Sequence, residues 1–120
     1  MKFFKGNFFQ EQERDGWVYG SFMTEGLLKD DRLEIKIKKL EKGFTSEPHF
    51  QKKATKIEVI FSGKAIWEID GEDYELNQGD YIVIPPGVTT AVKKVLEEPT
   101  LCQTIKIPSE PTDKVFKTND

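Results

Sequence analysis

Short segments in which hydrophobic and polar residues alternate run along most of this chain. Turn-forming residues separate these segments about every eight to twelve residues, at RDG, TEG, KDD, EKG, DGED, NQGD, PPG and EEP. The segments between the turns are rich in Ile, Val, Phe, Trp and Tyr, and none shows a convincing helical period. This pattern predicts an all-β sandwich or barrel.

The segment RLEIKIKKL alternates most strictly and predicts a half-buried strand. Its apolar face is formed by Leu33, Ile35 and Ile37. Its charged face is formed by Glu34, Lys36 and Lys38.

Further strands are predicted along the rest of the chain. KIEVIFSGKAIWEIDGEDYEL predicts two or three strands, with a tight hairpin turn between Ile69 and Tyr74. GDYIVIPPG predicts a strand that stops at Pro85, because proline cannot donate a hydrogen bond to a ladder. TLCQTIKIPS predicts the last clear strand, and NFFQEQERDG predicts one turn or a short helix.

Composition indicates an ordinary globular protein. The 120 residues are 37% hydrophobic and 32% charged, which predicts a single domain over residues 1–120. The net charge is -3 and no stretch gathers a basic excess, so we expect no nucleic-acid partner. No segment approaches ~18 consecutive apolar residues and no export signal is visible, so we expect a cytoplasmic location and no membrane partner. The one cysteine, Cys102, lies in a predicted strand, which favours a packed thiol over a nucleophile.

Two stretches resemble the two sequence motifs of the cupin superfamily. GFTSEPHFQ, leading to KIEVIFSGKAIW, is similar to the first motif, in which a glycine precedes His-x-His and a glutamate follows before a strand ending in glycine. GDYIVIPPGVTT is similar to the second motif, with Gly79, Pro85 and Gly87 at the usual spacing. The resemblance spans about residues 33–107. It implies an all-β double-stranded β-helix, the cupin jelly-roll barrel.

The resemblance also implies positions for metal ligands, and here the chain departs from the family. The four positions fall on His49, Gln51, Lys56 and Thr90. Glutamine and threonine are weak donors and a protonated lysine repels a cation, so we expect no metal and no other cofactor. The remaining route to a metal would use Glu58 as the carboxylate.

The direction of Lys56 and Glu58 is ambiguous at this stage. Simple alternation sends both to solvent, whereas the cupin register turns both toward the barrel interior. In the second arrangement they would join His49 and Gln51 in a polar pocket suited to a small polar or anionic ligand.

Gln103 is a further candidate for this pocket. It shares the parity of Leu101, Ile105 and Ile107, so we expect it to face the interior. A buried amide needs a partner, which would be either a neighbouring strand or a ligand in the cavity.

Two segments flank the predicted barrel core. The aromatic N-terminal residues 1–24 are expected to pack on the barrel exterior or across a homodimer interface, since a large exposed apolar patch would aggregate. The tail, residues 109–120, contains two prolines and mostly polar residues and is expected to be loose.

Three functions remain open. The first is a metal-independent cupin that binds a small polar, anionic or sugar-like ligand through His49, Gln51, Lys56, Thr90 and Gln103. The second is a sugar or nucleotide-sugar isomerase or epimerase, with His49 and Glu58 as candidate catalytic residues. The third is a structural or regulatory dimer with a vestigial pocket.

Overall fold

The computed structural model describes residues 2–10 and 12–117. Within these ranges the chain forms strands and turns and contains no helix. The eight strands are β1 Trp17–Tyr19, β2 Glu34–Leu40, β3 His49–Gln51, β4 Thr55–Ile69, β5 Glu72–Asn77, β6 Tyr81–Ile84, β7 Thr90–Ile107 and β8 Lys114–Phe116. The predicted all-β jelly roll is confirmed. None of the described residues belongs to a helix long and apolar enough to cross a membrane.

Two long antiparallel strands, β4 and β7, organise the sheet. They pair from Thr55 opposite Ile107 to Ile69 opposite Thr90, with register shifts near the middle. Strand β7 also pairs with β2 and β3, while β4 pairs with β5 and β6. Because each long strand bends and serves several partners, the sheet curls around an interior.

The predicted hairpin between β4 and β5 is confirmed in detail. Ile69 pairs with Glu72, so the loop consists of Asp70 and Gly71 only. Both loop residues have positive φ, 53° and 85°. This conformation matches the twist of the flanking strands and favours an Asp-Gly sequence.

The register of β2, β7 and β4 determines which side chains face the interior. In successive rows across the three strands, Lys106 lies between Glu34 and Lys56, Thr104 lies between Lys36 and Glu58, and Cys102 lies between Lys38 and Ile60. Side chains alternate along a strand, so all nine of these residues share one face. That face is the interior: Glu34, Lys56, Glu58 and Thr104 are each at most 5% exposed.

The orientation of β2 is therefore opposite to that of an ordinary amphipathic strand. Its charged residues face the barrel interior, while Ile35 and Ile37 face outward and are only half-buried. The apolar face of a strand usually packs on the core. Here the interior is partly polar, with Glu58 paired to Lys38, so alternation alone does not identify the inner face.

The apolar core fills the other part of the barrel. It is formed by the buried residues Leu40, Ile60, Ala65, Trp67, Leu76, Val92, Val95 and Cys102. Cys102 is fully buried, and burial raises the pKa of its thiol to about 11. Both features agree with a packed, unreactive thiol.

The C-terminal segment differs in part from the sequence-based expectation of a loose tail. Lys114–Phe116 form β8 and pair with β3. The buried Asp113 carboxylate accepts hydrogen bonds from the Lys53 and Ala54 amides and anchors this segment to the start of β4. Residues 118–120 of the predicted tail lie outside the described residues.

The described part of NFFQEQERDG forms turns and no helix, where one turn or a short helix was predicted. The Gln10 amide donates to the Asn7 carbonyl in the first of these turns. Met1 and Glu11 of the same segment lie outside the described residues.

Gly63 is required where β4 bends against β7. Its φ is +89°, and a Cβ at this position would lie 2.6 Å from the Cα of Thr100 and 2.8 Å from the Pro99 carbonyl oxygen. Both neighbours are backbone atoms that cannot rotate away.

We expect Gly63→Ala to lower the free energy of unfolding by roughly 2–5 kcal/mol, from the left-handed backbone and the overpacking together. The matched control is Gly71→Ala, which has a similar φ of +85° but no atom within 4 Å of the added methyl group. This control should cost only roughly 1–2 kcal/mol. Urea unfolding of both variants measures the difference, and equal losses would contradict the steric argument.

Candidate functional site

A cavity of about 150 Å³ opens at the polar end of the barrel interior. Strands β1, β2, β3, β4, β7 and β8 all contribute side chains to it. Its principal polar and charged lining residues are Lys36, Lys38, Ser46, His49, Lys56, Glu58, Thr90, Thr104, Lys106 and Lys114.

Lys56, His49 and Thr90 form a buried hydrogen-bonded group in this cavity. The Lys56 side-chain nitrogen lies 3.1 Å from His49 Nε2 and 2.8 Å from Thr90 Oγ1. On the other side of the ring, His49 Nδ1 lies 2.8 Å from the Glu47 carbonyl oxygen. Since a carbonyl can only accept, Nδ1 carries the proton and Nε2 presents its lone pair to Lys56.

Glu58, Lys38 and Thr104 form a second group next to the first. Lys38 Nζ lies 3.2 Å from Glu58 Oε1. The Thr104 hydroxyl lies within hydrogen-bonding distance of both Glu58 oxygens, at 3.0 and 2.9 Å. Both carboxylate oxygens are therefore engaged, and this geometry suits a positioning group better than a proton donor.

The pKa values of Lys38 and Lys56 are moved in opposite directions. Burial lowers the pKa of Lys56 to about 7; Glu58 opposes this shift, and Lys38 and Lys106 add to it. Burial also acts to lower the pKa of Lys38, but the adjacent Glu58 carboxylate outweighs it and raises this pKa above its usual value. Burial, reinforced by Lys56, lowers the pKa of His49 to about 4. The site therefore combines a neutral imidazole, an amine near its titration point and a firmly charged ammonium.

Trp17 forms one wall of the cavity. The Lys36 and Lys106 ammonium groups lie 5.3 and 5.6 Å from the centre of its ring. The ring packs edge-on against Phe22 at 4.8 Å. By contrast, Phe3 and Phe9 in the same N-terminal segment are 80% and 76% exposed.

The structure brings most of the sequence-predicted residues together. His49, Lys56, Glu58 and Thr90 line the cavity, and Lys56 and Glu58 both face the interior. Gln51 follows His49 on the inner face of β3 and is 3% exposed, but it is not among the cavity lining residues. Within the described chain, neither atom of its side-chain amide has a hydrogen-bond partner.

The expectation for Gln103 is wrong. It pairs with Ile37 and Val59 on the outer face of the sheet, because Cys102 and Thr104 on either side of it occupy the inner face. It is only partly buried and does not reach the cavity. Leu101, Ile105 and Ile107 share its parity and are likewise not buried, so the apolar residues that suggested an inward direction themselves face outward.

Sequence reasoning also missed several lining residues. These are Trp17, Lys36, Lys38, Thr104, Lys106 and Lys114. The cupin register could have identified some of them, because it places Lys56 on the inner face of β4. Antiparallel pairing of β4 with β7 then places Lys106 on the inner face, and pairing of β7 with β2 does the same for Lys36. Trp17 and Lys114 come from short strands near the termini, and their positions follow only from tertiary contacts.

Comparison with known proteins identifies the family. The family model for the cupin domain matches residues 37–102, more than half of the chain. The chain is a cupin. No curated protein sequence matches it.

Several solved structures share the fold of this cupin. A cupin protein from Bacteroides fragilis is 26% identical, with 73% of each chain covered and a TM-score of 0.60. KdgF from Halomonas sp. is 23% identical, with 68% of this chain and 74% of that chain covered and a TM-score of 0.64. Pac13, described as a nucleoside dehydratase and solved from Streptomyces, is 15% identical, with 73% and 70% covered and a TM-score of 0.63.

The donor set of this cupin does not fit the metal that the family motif implies. Lys56 Nζ is hydrogen-bonded to His49 Nε2, the one imidazole nitrogen that could bind a metal from the motif. Among the described residues, no three His, Cys, Asp or Glu side chains cluster as metal ligands. A transition metal needs about three strong donors, and here a basic nitrogen lies where a carboxylate would complete the set.

We expect the Lys38–Glu58 pair to show strong thermodynamic coupling. Removing one partner with Glu58→Leu leaves Lys38 unpaired in a buried site and should cost roughly 3–5 kcal/mol of unfolding free energy. The double variant Lys38→Met/Glu58→Leu should recover most of that loss, because no uncompensated charge remains. A double-mutant cycle by urea unfolding measures the coupling, and additive losses would contradict the pairing.

Proposed function

We propose that this cupin binds a small anion, a carboxylate or a phosphate, in its barrel and does so without a metal. The observation that supports this most directly is the charge of the cavity lining. Five lysines line the cavity, Lys36, Lys38, Lys56, Lys106 and Lys114, against one carboxylate, Glu58.

The one carboxylate does not neutralise the cavity. Glu58 is committed to Lys38 and Thr104. Burial lowers the pKa of Lys36, Lys106 and Lys114, and the neighbouring cations add to this effect at each of them, although Glu34 opposes it at Lys106. A bound anion would offset both the desolvation of these ammonium groups and their mutual repulsion. The electrostatics of the cavity therefore favour binding of an anion.

The size of the cavity limits the ligand. A volume of about 150 Å³ corresponds to roughly five water molecules at ~30 Å³ each. This suits phosphate or a carboxylate of a few carbons. The Trp17 ring and the hydroxyls of Thr90 and Thr104 would supply apolar contact and hydrogen bonds for the rest of such a molecule.

We expect phosphate and lactate to bind to the protein and glycerol not to bind, in isothermal titration calorimetry at low salt. Lys106→Met should weaken anion binding about tenfold, since a hydrogen bond to a charged group contributes ~1.5–3 kcal/mol. Lys52→Met is the matched control, because Lys52 is exposed and lies outside the cavity. Equal binding of glycerol, or no anion binding at all, would contradict the proposal.

We also expect the purified protein to contain far less than one equivalent of any transition metal. The reason is that Lys56 stands at the carboxylate position of the motif and is hydrogen-bonded to His49 Nε2, the imidazole nitrogen that a metal would need. Elemental analysis of protein purified without chelators tests this. A full equivalent of metal that disappears in His49→Ala would show that the metal-free proposal is wrong.

The alternative of an isomerase or epimerase receives support from one observation. His49 is held as a neutral imidazole with Nε2 toward the cavity, as a general base requires. However, His49 Nε2 and Lys56 Nζ are only 3.1 Å apart, so they act as a pair on one side of a ligand. Glu58 is engaged elsewhere, and a two-base epimerisation lacks a second group across the substrate atom. Binding therefore remains our first proposal.

The expected homodimer remains a prediction and is supported by the outer face of the sheet. Phe61, Tyr81 and Val83 are 45%, 69% and 56% exposed. Tyr81 and Val83 pair with Val59 and Ile57, which are only half-buried. Since the charged residues Lys56 and Glu58 of β4 face inward, we infer that a second copy of the chain covers this apolar face.

A further inference from the structure

We propose that Lys56 is a nucleophile that forms an imine with the carbonyl carbon of a small 2-oxo acid held in the barrel cavity. This inference rests on the proposed function, because the same lysine-lined cavity would hold the carboxylate of the 2-oxo acid. It goes beyond binding, since it assigns a covalent step and a substrate class to the site.

A neutral amine can make both hydrogen bonds that the structure gives Lys56. Among the described residues the structure gives its Nζ two partners, His49 Nε2 at 3.1 Å and Thr90 Oγ1 at 2.8 Å. An amine has two hydrogens and one lone pair, so both hydrogens are satisfied and the lone pair remains available.

The surroundings of Lys56 favour the neutral form as well. A buried lysine beside other cations is the usual environment of a nucleophilic amine. Lys38 and Lys106 lie near Lys56, and burial together with these charges lowers its pKa. Lys38 differs, because Glu58 at 3.2 Å holds it as a cation. Two lysines in one cavity with opposite pKa shifts are suited to two roles, one as nucleophile and one as a positive charge.

The bond changes are balanced without an oxidant or reductant. The Lys56 nitrogen attacks the carbonyl carbon, a C–N bond forms and the carbonyl electron pair moves to oxygen. His49 Nε2 accepts a proton from the nitrogen and passes the same proton to the oxygen, giving a carbinolamine. Loss of this oxygen as water forms the C=N bond, so one amine and one 2-oxo acid give one imine and one water. The cationic lysines, Lys36, Lys106 and Lys114, would hold the carboxylate during these steps.

The test is reductive trapping on the full chain. The protein is incubated with pyruvate and sodium cyanoborohydride, which reduces an imine to a stable secondary amine, and the product is measured by intact mass and peptide mapping. We expect one reduced adduct per chain, located on Lys56. Lactate has the carboxylate but no ketone, so it should form no adduct and should compete with pyruvate.

Two variants serve as controls. Lys56→Met should reduce the adduct roughly tenfold or more, because it removes the nucleophile. Lys52→Met should leave the adduct unchanged, because Lys52 is exposed and outside the cavity. Peptide mapping of the trapped protein without substitutions locates the adduct even if Lys56→Met does not fold.

The outcomes separate this inference from the proposed function. If lactate and pyruvate bind but the adduct is absent, or is spread over exposed lysines, the imine is excluded and anion binding stands. If neither carboxylate binds and no adduct forms, both proposals are overturned. An adduct on Lys56 that lactate suppresses supports both.

Discussion

The antiparallel register between β4 and β7 is the constraint on which the rest of this structure depends. Lys56 pairs with Lys106, and Glu58 pairs with Thr104. These residues therefore share the face of the two strands that lines the barrel interior. Strand β2 pairs with β7 and places Glu34 and Lys36 on the same inner face, next to Lys106 and Thr104. A shift of one residue would turn all of these charged groups outward and bring the isoleucines and valines inside. The chemical character of the cavity is therefore a property of the register.

The most deeply buried charged groups of the interior are hydrogen-bonded, and they are confined to one end of the barrel. Glu58 is bonded to Lys38 and Thr104, and Lys56 is bonded to His49 and Thr90. Beyond the row that contains Cys102, the same inner face becomes apolar and joins the core with Leu40 and Ile60. Buried charge without partners would be strongly destabilising. The barrel thus contains an apolar half and a polar, charged half on one continuous sheet.

Lys56 occupies the position of the motif's carboxylate, and this one difference affects metal binding, the role of His49 and the composition of the cavity. A lysine at this place donates a hydrogen bond to the imidazole that would otherwise bind a metal, and it supplies an amine to a cavity that other lysines already line. His49, held neutral through Glu47, then becomes an acceptor next to an amine. The cupin barrel provides rigid strands for these residues, while the side chains themselves determine the chemistry.

The sequence by itself determined the fold class, the hairpin at Asp70 and Gly71, the packed thiol of Cys102 and the cupin motifs. These are local signals: turn residues, period-two alternation and motif spacing act over a few neighbouring positions. Only the tertiary structure decided which face of each strand lies inside. Alternation is symmetric between the two faces, and Gln103 and the isoleucines of β2 face outward because strand pairing, and not their own polarity, places them. The same reason explains why sequence reasoning missed Lys38, Lys106 and Trp17: they meet Lys56 across strands that are far apart in the chain.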